Sequence, residues 1–186
     1  RYTDTLLREL MLWEGRAAQE QGPVHAVYFG GGTPTALEAK DLERLLKGVR
    51  RHLPLANDCE ITVEGRLHNF GPAKMEACFA GGANRFSLGV QSFSTKIRQA
   101  MGRLASREEV FRRLELLKSY NQAAVIVDLI FGFPMQSMEV WLDDIAAACS
   151  AVLLAIALST NSEWPAEASC EAYRTVLSAS PTSYSP

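Results

Sequence analysis

Four residues with polar side chains, Thr33, Glu64, Gln91 and Asp128, follow one another at intervals of 31, 27 and 37 positions. Each sits in or at the end of a short apolar run. Thr33 closes Val-Tyr-Phe-Gly-Gly-Gly-Thr (27–33), Glu64 closes Glu-Ile-Thr-Val-Glu (60–64) and Gln91 closes Phe-Ser-Leu-Gly-Val-Gln (86–91), while Asp128 lies within Ala-Val-Ile-Val-Asp-Leu-Ile-Phe-Gly (124–132). The set offers two carboxylate acceptors, an amide and a hydroxyl, which is the equipment for holding a polar ligand. The intervals are those of one strand-plus-helix unit, about 30 residues. Parallel β/α folds gather their chemistry at the carboxyl ends of the strands, because helices and neighbouring strands cover the other surfaces. One polar group per strand end therefore implies a single shared site.

Gly30-Gly31-Gly32-Thr33-Pro34 brings bare backbone amides to that rim. Glycine lets a ligand approach the chain closely and tolerates positive φ; a tight turn with no ligand explains the same residues. No Gly-Lys-[Ser/Thr] follows, so the loop is not of the Walker type. Glu64 reads equally as a surface carboxylate or a ligand group. Gln91 is similarly open, since a buried amide often satisfies backbone groups. Arg103 follows Met101-Gly102 in a loop between helices, where an exposed arginine is the usual case. Asp128 interrupts a β-branched run expected to be buried on both faces, and a buried carboxylate needs hydrogen bonds or a cation. That favours a role in a site.

The elements that must position these groups alternate along the chain. Leu6, Leu10 and Trp13 form a helical stripe ended by Gln21-Gly22-Pro23, and a strand over Val24–Phe29 follows. Thr35-Ala-Leu-Glu38 has the form of a capping box opening a helix with Leu42, Leu45, Leu46 and Val49 on its apolar face. A strand at Glu60–Glu64, a helix from Pro72 to Ala80 and a strand at Arg85–Gln91 come next. Helices at Thr95–Met101 and Arg107–Tyr120 follow, the second behind a Ser106-x-x-Glu109 box. A strand at Ala123–Phe131 and a helix from Val140 to Cys149 complete the order. The alternation predicts a parallel sheet with right-handed crossovers, an incomplete (β/α) barrel of TIM type.

Composition sets the limits. The chain has 186 residues, 47% apolar and 22% charged, with a net charge of −2, so it is long enough for one core and short of a full eight-fold barrel. Arg50-Arg51 and Arg112-Arg113 have acidic neighbours and read as solvated helix faces, not as a nucleic-acid surface. The longest apolar run, Ala151 to Leu158, has the length of a strand and falls short of a membrane span. Cys59, Cys78, Cys149 and Cys170 are separated by 19, 71 and 21 residues, unlike zinc or iron–sulfur ligands. They read as buried or incidental thiols, and no metal ligand is assigned. His25, His52 and His68 are scattered, His52 at a helix end where a cation suits the dipole. The opening Arg-Tyr-Thr-Asp-Thr starts in mid-helix without signal peptide or initiator methionine, which is read as truncation. From about Ser159 the chain turns rich in Ser, Thr, Ala and Pro. A core over 1–158 and a tail over 159–186 are expected, the tail either disordered or the product of a damaged reading frame.

Tyr-Phe-Gly-Gly-Gly-Thr-Pro-Thr, Asn-Arg-Phe-Ser-Leu-Gly-Val-Gln-Ser-Phe, Met-Gly-Arg and Asp-Leu-Ile-Phe-Gly-Phe-Pro resemble, in order and spacing, the signature blocks of radical S-adenosylmethionine (SAM) enzymes related to oxygen-independent coproporphyrinogen III oxidase. Val-Glu-Gly-Arg-Leu-His-Asn-Phe (63–70) is most similar to the haem-utilisation branch (HutW/ChuW type). The resemblance runs from about residue 2 to 150. It implies that Gly31, Gly32, Thr33, Glu64, Gln91, Arg103 and Asp128 contact SAM, with the carboxylates meeting its ammonium or hydroxyls and Arg103 its carboxylate. It also implies a [4Fe–4S] cluster in the parent enzyme, held by a Cys-x-x-x-Cys-x-x-Cys motif upstream of this chain's first helix. Its ligands are absent from the sequence, which is accordingly read as an internal fragment. The parent is expected to be cytoplasmic, with a haem or porphyrin substrate and a reductant protein such as flavodoxin. Radical methyl transfer that opens haem and frees iron is the implied reaction. Decarboxylation of coproporphyrinogen III, a haem-binding chaperone and an inactive remnant stand as alternatives.

Overall fold

The apolar runs become four parallel strands in a computed structural model that describes residues 1–16 and 22–159. They are β1 (Val24–Phe29), β2 (Leu55–Gly65), β3 (Arg85–Gln91) and β4 (Ala124–Leu129), hydrogen-bonded in the order β1-β2-β3-β4. Sequential order without a reversal is that of a β/α barrel and not of a doubly wound sheet; this is a four-stranded part of one. Helix α1 (Tyr2–Trp13) precedes β1, and α2 (Ala39–His52) and α3 (Pro72–Ala80) link the next strands. Two helices, α4 (Thr95–Ala100) and α5 (Arg107–Ser119), lie between β3 and β4, and α6 (Met138–Ser159) follows.

Strand register decides which side chains meet the helices. Val63 pairs with Phe86 and Phe86 with Val125, and these residues point to the helical side. There Ile61, Val63, Phe86, Leu88 and Val90 join Leu42 and Leu46 of α2, Met75 of α3 and Val110, Leu114 and Leu117 of α5 in one buried core. Phe86 touches Phe70 at 5.2 Å between ring centroids and Phe79 edge-on at 5.5 Å. Losing such a buried ring costs about 3–5 kcal/mol. The alternate residues, Tyr28, Thr62, Glu64, Ser87 and Asp128, share the other face, and Tyr28 is 61% exposed there. On that face Arg85 pairs with Glu60 at 2.6 Å.

The structure alters several expectations. Strand β2 starts at Leu55, ahead of Glu60, because Leu55 pairs with Val24 across a register shift. Thr35 does not cap a helix. It is wholly buried in a one-turn 3₁₀ segment, and Glu38 precedes α2 without a side-chain cap. Of the box at Ser106 the cap forms, its hydroxyl accepting from the Glu109 amide, while the Glu109 carboxylate turns to Arg112 and Arg113. The backbone from Ala151 through 158 continues α6 and makes no strand, since it is contiguous with a helix and no turn residue intervenes. Arg112 and Arg113 both pair with Glu109, and His52 Nδ1 lies 2.9 Å from Glu14. No helix among the described residues is long and apolar enough to cross a membrane. The proposed tail, apart from Ser159, lies outside the described residues.

Candidate functional site

The carboxyl ends of the strands converge on a polar cleft of about 130 Å³. Its lining includes Gly32 and Thr33 after β1, Glu64 on β2, Gln91 on β3, Asp128 on β4 and Arg103 from the loop after α4. All of these candidate residues from four strand ends thus meet on one rim. Gly31 lines a neighbouring apolar groove of about 630 Å³, which Gly32 and Thr33 also border. Gly31 and Gly32 take φ of +75° and +58°, a left-handed pair that side chains disfavour and that turns the loop across the strand ends.

Each group is held differently. Gln91 itself has φ +71°, and the register slips between Gly89 and Gln91. A non-glycine residue in this region needs outside support, and its carbonyl accepts from the Ile130 amide at 2.9 Å. A Cβ at position 89 would come within 2.6 Å of the Gln91 amide nitrogen, so only glycine leaves that side chain its place. Arg103, expected to be exposed, is half-buried and donates to the Gly89 carbonyl at 2.9 Å. Burial, and then the charge of Arg66, hold its guanidinium below the usual arginine range. Asp128 is a correction. It is exposed on the open face, not sealed in a strand covered on both sides, because the helices cover only one face of the sheet. It accepts from the Ser87 hydroxyl at 3.0 Å.

Other supporting residues have no motif to announce them. Thr35 donates to Asn69 Oδ1 at 2.9 Å and accepts from the Arg66 amide at 3.2 Å, tying the glycine loop to the loop after β2. Arg98, 3% exposed, donates to the carbonyls of Val90, Ser92 and Ala105 and so fixes the turn after Gln91. Asp144 is fully buried on α6, where it accepts from the Phe93 amide at 2.6 Å and the Ser92 hydroxyl at 3.0 Å. Gln136 donates to the same carboxylate at 3.3 Å, and its Oε1 accepts from the Gly132 amide at 2.8 Å. The one sequence signal for Asp144 is a charge on the apolar side of a helix.

The described cysteines do not join this site. Cys59 and Cys78 are buried in the core, and burial pushes the Cys78 thiol up to about 12. Cys149 is partly buried on α6, and Cys170 lies outside the described residues. Among the described residues no three His, Cys, Asp or Glu side chains are grouped to hold a metal ion.

The profile of the radical SAM superfamily matches residues 2–148. The chain belongs to the radical SAM superfamily. Within this superfamily it is 48% identical to the anaerobilin synthase of Escherichia coli O157:H7, over 79% of this chain and 33% of that protein. It is 36% identical to the heme chaperone HemW of E. coli K12, over 79% of this chain and 38% of the relative. The solved radical SAM enzyme coproporphyrinogen III oxidase (HemN) of E. coli superposes with a TM-score of 0.69 at 28% identity, covering 81% of this chain and 34% of HemN. The chain spans about a third of the length of these relatives.

Proposed function

We propose that the rim cleft binds SAM and that the protein is part of a radical SAM enzyme acting on haem or a related porphyrin. The observation that carries this reading is the meeting of Gly32, Thr33, Glu64, Gln91, Arg103 and Asp128 in one cleft. Its donor set suits an amino acid: carboxylates for an ammonium, a guanidinium for a carboxylate, and an amide for neutral polar atoms. The adjoining apolar groove, entered past Gly32 and Thr33, suits a less polar remainder, so the residues fit a ligand with one charged and one flatter end. Glu64 and Asp128 would hold and orient the ammonium or hydroxyls, and Arg103 the carboxylate. The chemistry such a cofactor supplies is one-electron cleavage of its carbon–sulfur bond beside a [4Fe–4S] cluster. The described cysteines do not fit that cluster.

The substrate class follows the relatives, whose names concern anaerobilin, heme and coproporphyrinogen III. The likeness of Val63–Phe70 to the haem-utilisation branch supports the finer reading of methyl transfer that opens haem and releases iron, placed in the cytoplasm with a flavodoxin-type reductant. Isothermal titration of the chain with SAM, with adenosine and methionine as competitors, tests the cleft. Saturable binding that the Glu64→Gln variant weakens is expected; the absence of binding would overturn the reading. In a chain extended by a cysteine-bearing cluster segment, haem absorbance with and without SAM tests the reaction. Loss of the macrocycle's main band supports ring opening, and an intact band points to the carrier reading.

A further inference from the structure

Behind Arg103 lies a second pocket, about 410 Å³, whose charged lining is of one sign. Arg66, His68, Arg98 and Arg103 face it, and no Asp or Glu does. Arg66 and Arg103 also border the polar cleft, so they divide a side bearing Glu64 and Asp128 from a side bearing only cations. Arg98 is occupied by three backbone carbonyls and Arg103 in part by Gly89. The Arg66 guanidinium is exposed and makes no hydrogen bond or ion pair among the described residues, and the His68 ring makes none either. Lys74 and Arg113 add positive charge nearby: burial first, then Arg66, Arg103, Arg113 and Lys74, keep His68 below its ordinary value and hence neutral at pH 7. The wall is also partly apolar, and Leu104 at its edge is 90% exposed. Unpartnered guanidinium beside exposed apolar surface suits a carboxylate carried on a flat hydrophobic body.

We infer that this pocket is a subsite for a carboxylate side chain of a tetrapyrrole substrate, with Arg66 as its principal contact and His68 as a hydrogen-bond partner. The inference rests on the porphyrin reading of the protein and adds where the substrate's edge is held. A carboxylate here would also relieve the repulsion between Arg66 and Arg103, which no acid on this side offsets.

Absorbance titration of the 186-residue chain with haem and with haem dimethyl ester tests it, since the ester keeps the ring and lacks the carboxylates. Wild type should bind haem roughly tenfold more tightly than the ester, the worth of one charge-assisted contact. Arg66→Gln should bring haem down to the ester's affinity and leave the ester where it was, and Arg66→Lys should keep part of the preference. Arg66 is exposed, so a thermal melt should show both variants folded. If wild type binds haem and ester alike, or Arg66→Gln weakens both equally, the subsite is wrong and the porphyrin reading survives. If wild type binds neither, the porphyrin reading fails and the subsite with it.

Discussion

Asp128 shows how a residue's surroundings set what its substitution does. Its carboxylate is exposed at the rim and accepts from Ser87, so folding does not depend on sealing a charge in the core. Asp128→Asn keeps the shape and removes the charge. If the group meets an ammonium or ribose hydroxyls, the loss is one charge-assisted hydrogen bond, worth roughly 1.5–3 kcal/mol when well shielded. At a partly open rim the lower end applies, and SAM affinity should fall about tenfold. The midpoint of thermal unfolding should move by no more than about 2 °C, since surface changes stay within ±0.5 kcal/mol. A variant that binds SAM normally yet melts early would make Asp128 a structural carboxylate.

The elements are held in register across the rim by Asp144 of α6 and by Gln136 in the loop before that helix. Asp144 grips the turn after β3 through Ser92 and Phe93, and Gln136 grips the loop after β4 through the Gly132 amide and the Ile130 carbonyl. Because Gln136 also donates to Asp144, the two strand ends bearing Gln91 and Asp128 are tied through one buried carboxylate. Asp144→Asn puts an NH2 group among donors and weakens several of these bonds at once, at a cost of about 2–4 kcal/mol. The melting temperature followed by circular dichroism should drop by roughly 5–10 °C. An unchanged melt would show that the loops are held by something else. Little of this brace is legible in the sequence. Strands β1 and β3 and helix α3 are, with their boundaries, because punctuation by Pro23, Pro72 and Gly81-Gly82 coincides with a change of period. The meeting of Thr33, Glu64, Gln91 and Asp128 is legible too, because parallel strands put their carboxyl ends on one side. Thr35 is misread because its spacing to Glu38 imitates a capping box, while its actual partners, Asn69 and Arg66, lie more than thirty residues away. Long-range pairs of that kind leave no local pattern. The exposure of Asp128 is hidden because a continuous β-branched run is the pattern of a strand covered on both faces, and here the helices cover only one.

At the scale of the whole molecule, the site's polar half and the iron–sulfur half of the family's chemistry make different demands on the chain. The cleft needs only four strand ends and their loops, and the four-stranded sheet supplies them. A [4Fe–4S] cluster needs cysteine thiolates brought close together. Here the cysteines are separated by 19, 71 and 21 residues. Cys59 and Cys78 are 2% and 0% exposed within the core, and burial raises both thiols, that of Cys78 to about 12. Ligation requires deprotonation, so recruiting either one means drawing a core residue out of its packing and charging it. The 186-residue chain, reconstituted anaerobically with iron and sulfide and desalted, should therefore retain no iron–sulfur charge-transfer absorption. It should still bind SAM, because the cleft residues do not depend on those thiols. With dithionite and SAM it should produce no 5′-deoxyadenosine. Formation of that product above a no-protein control would show that this chain assembles a working cluster from the cysteines it has.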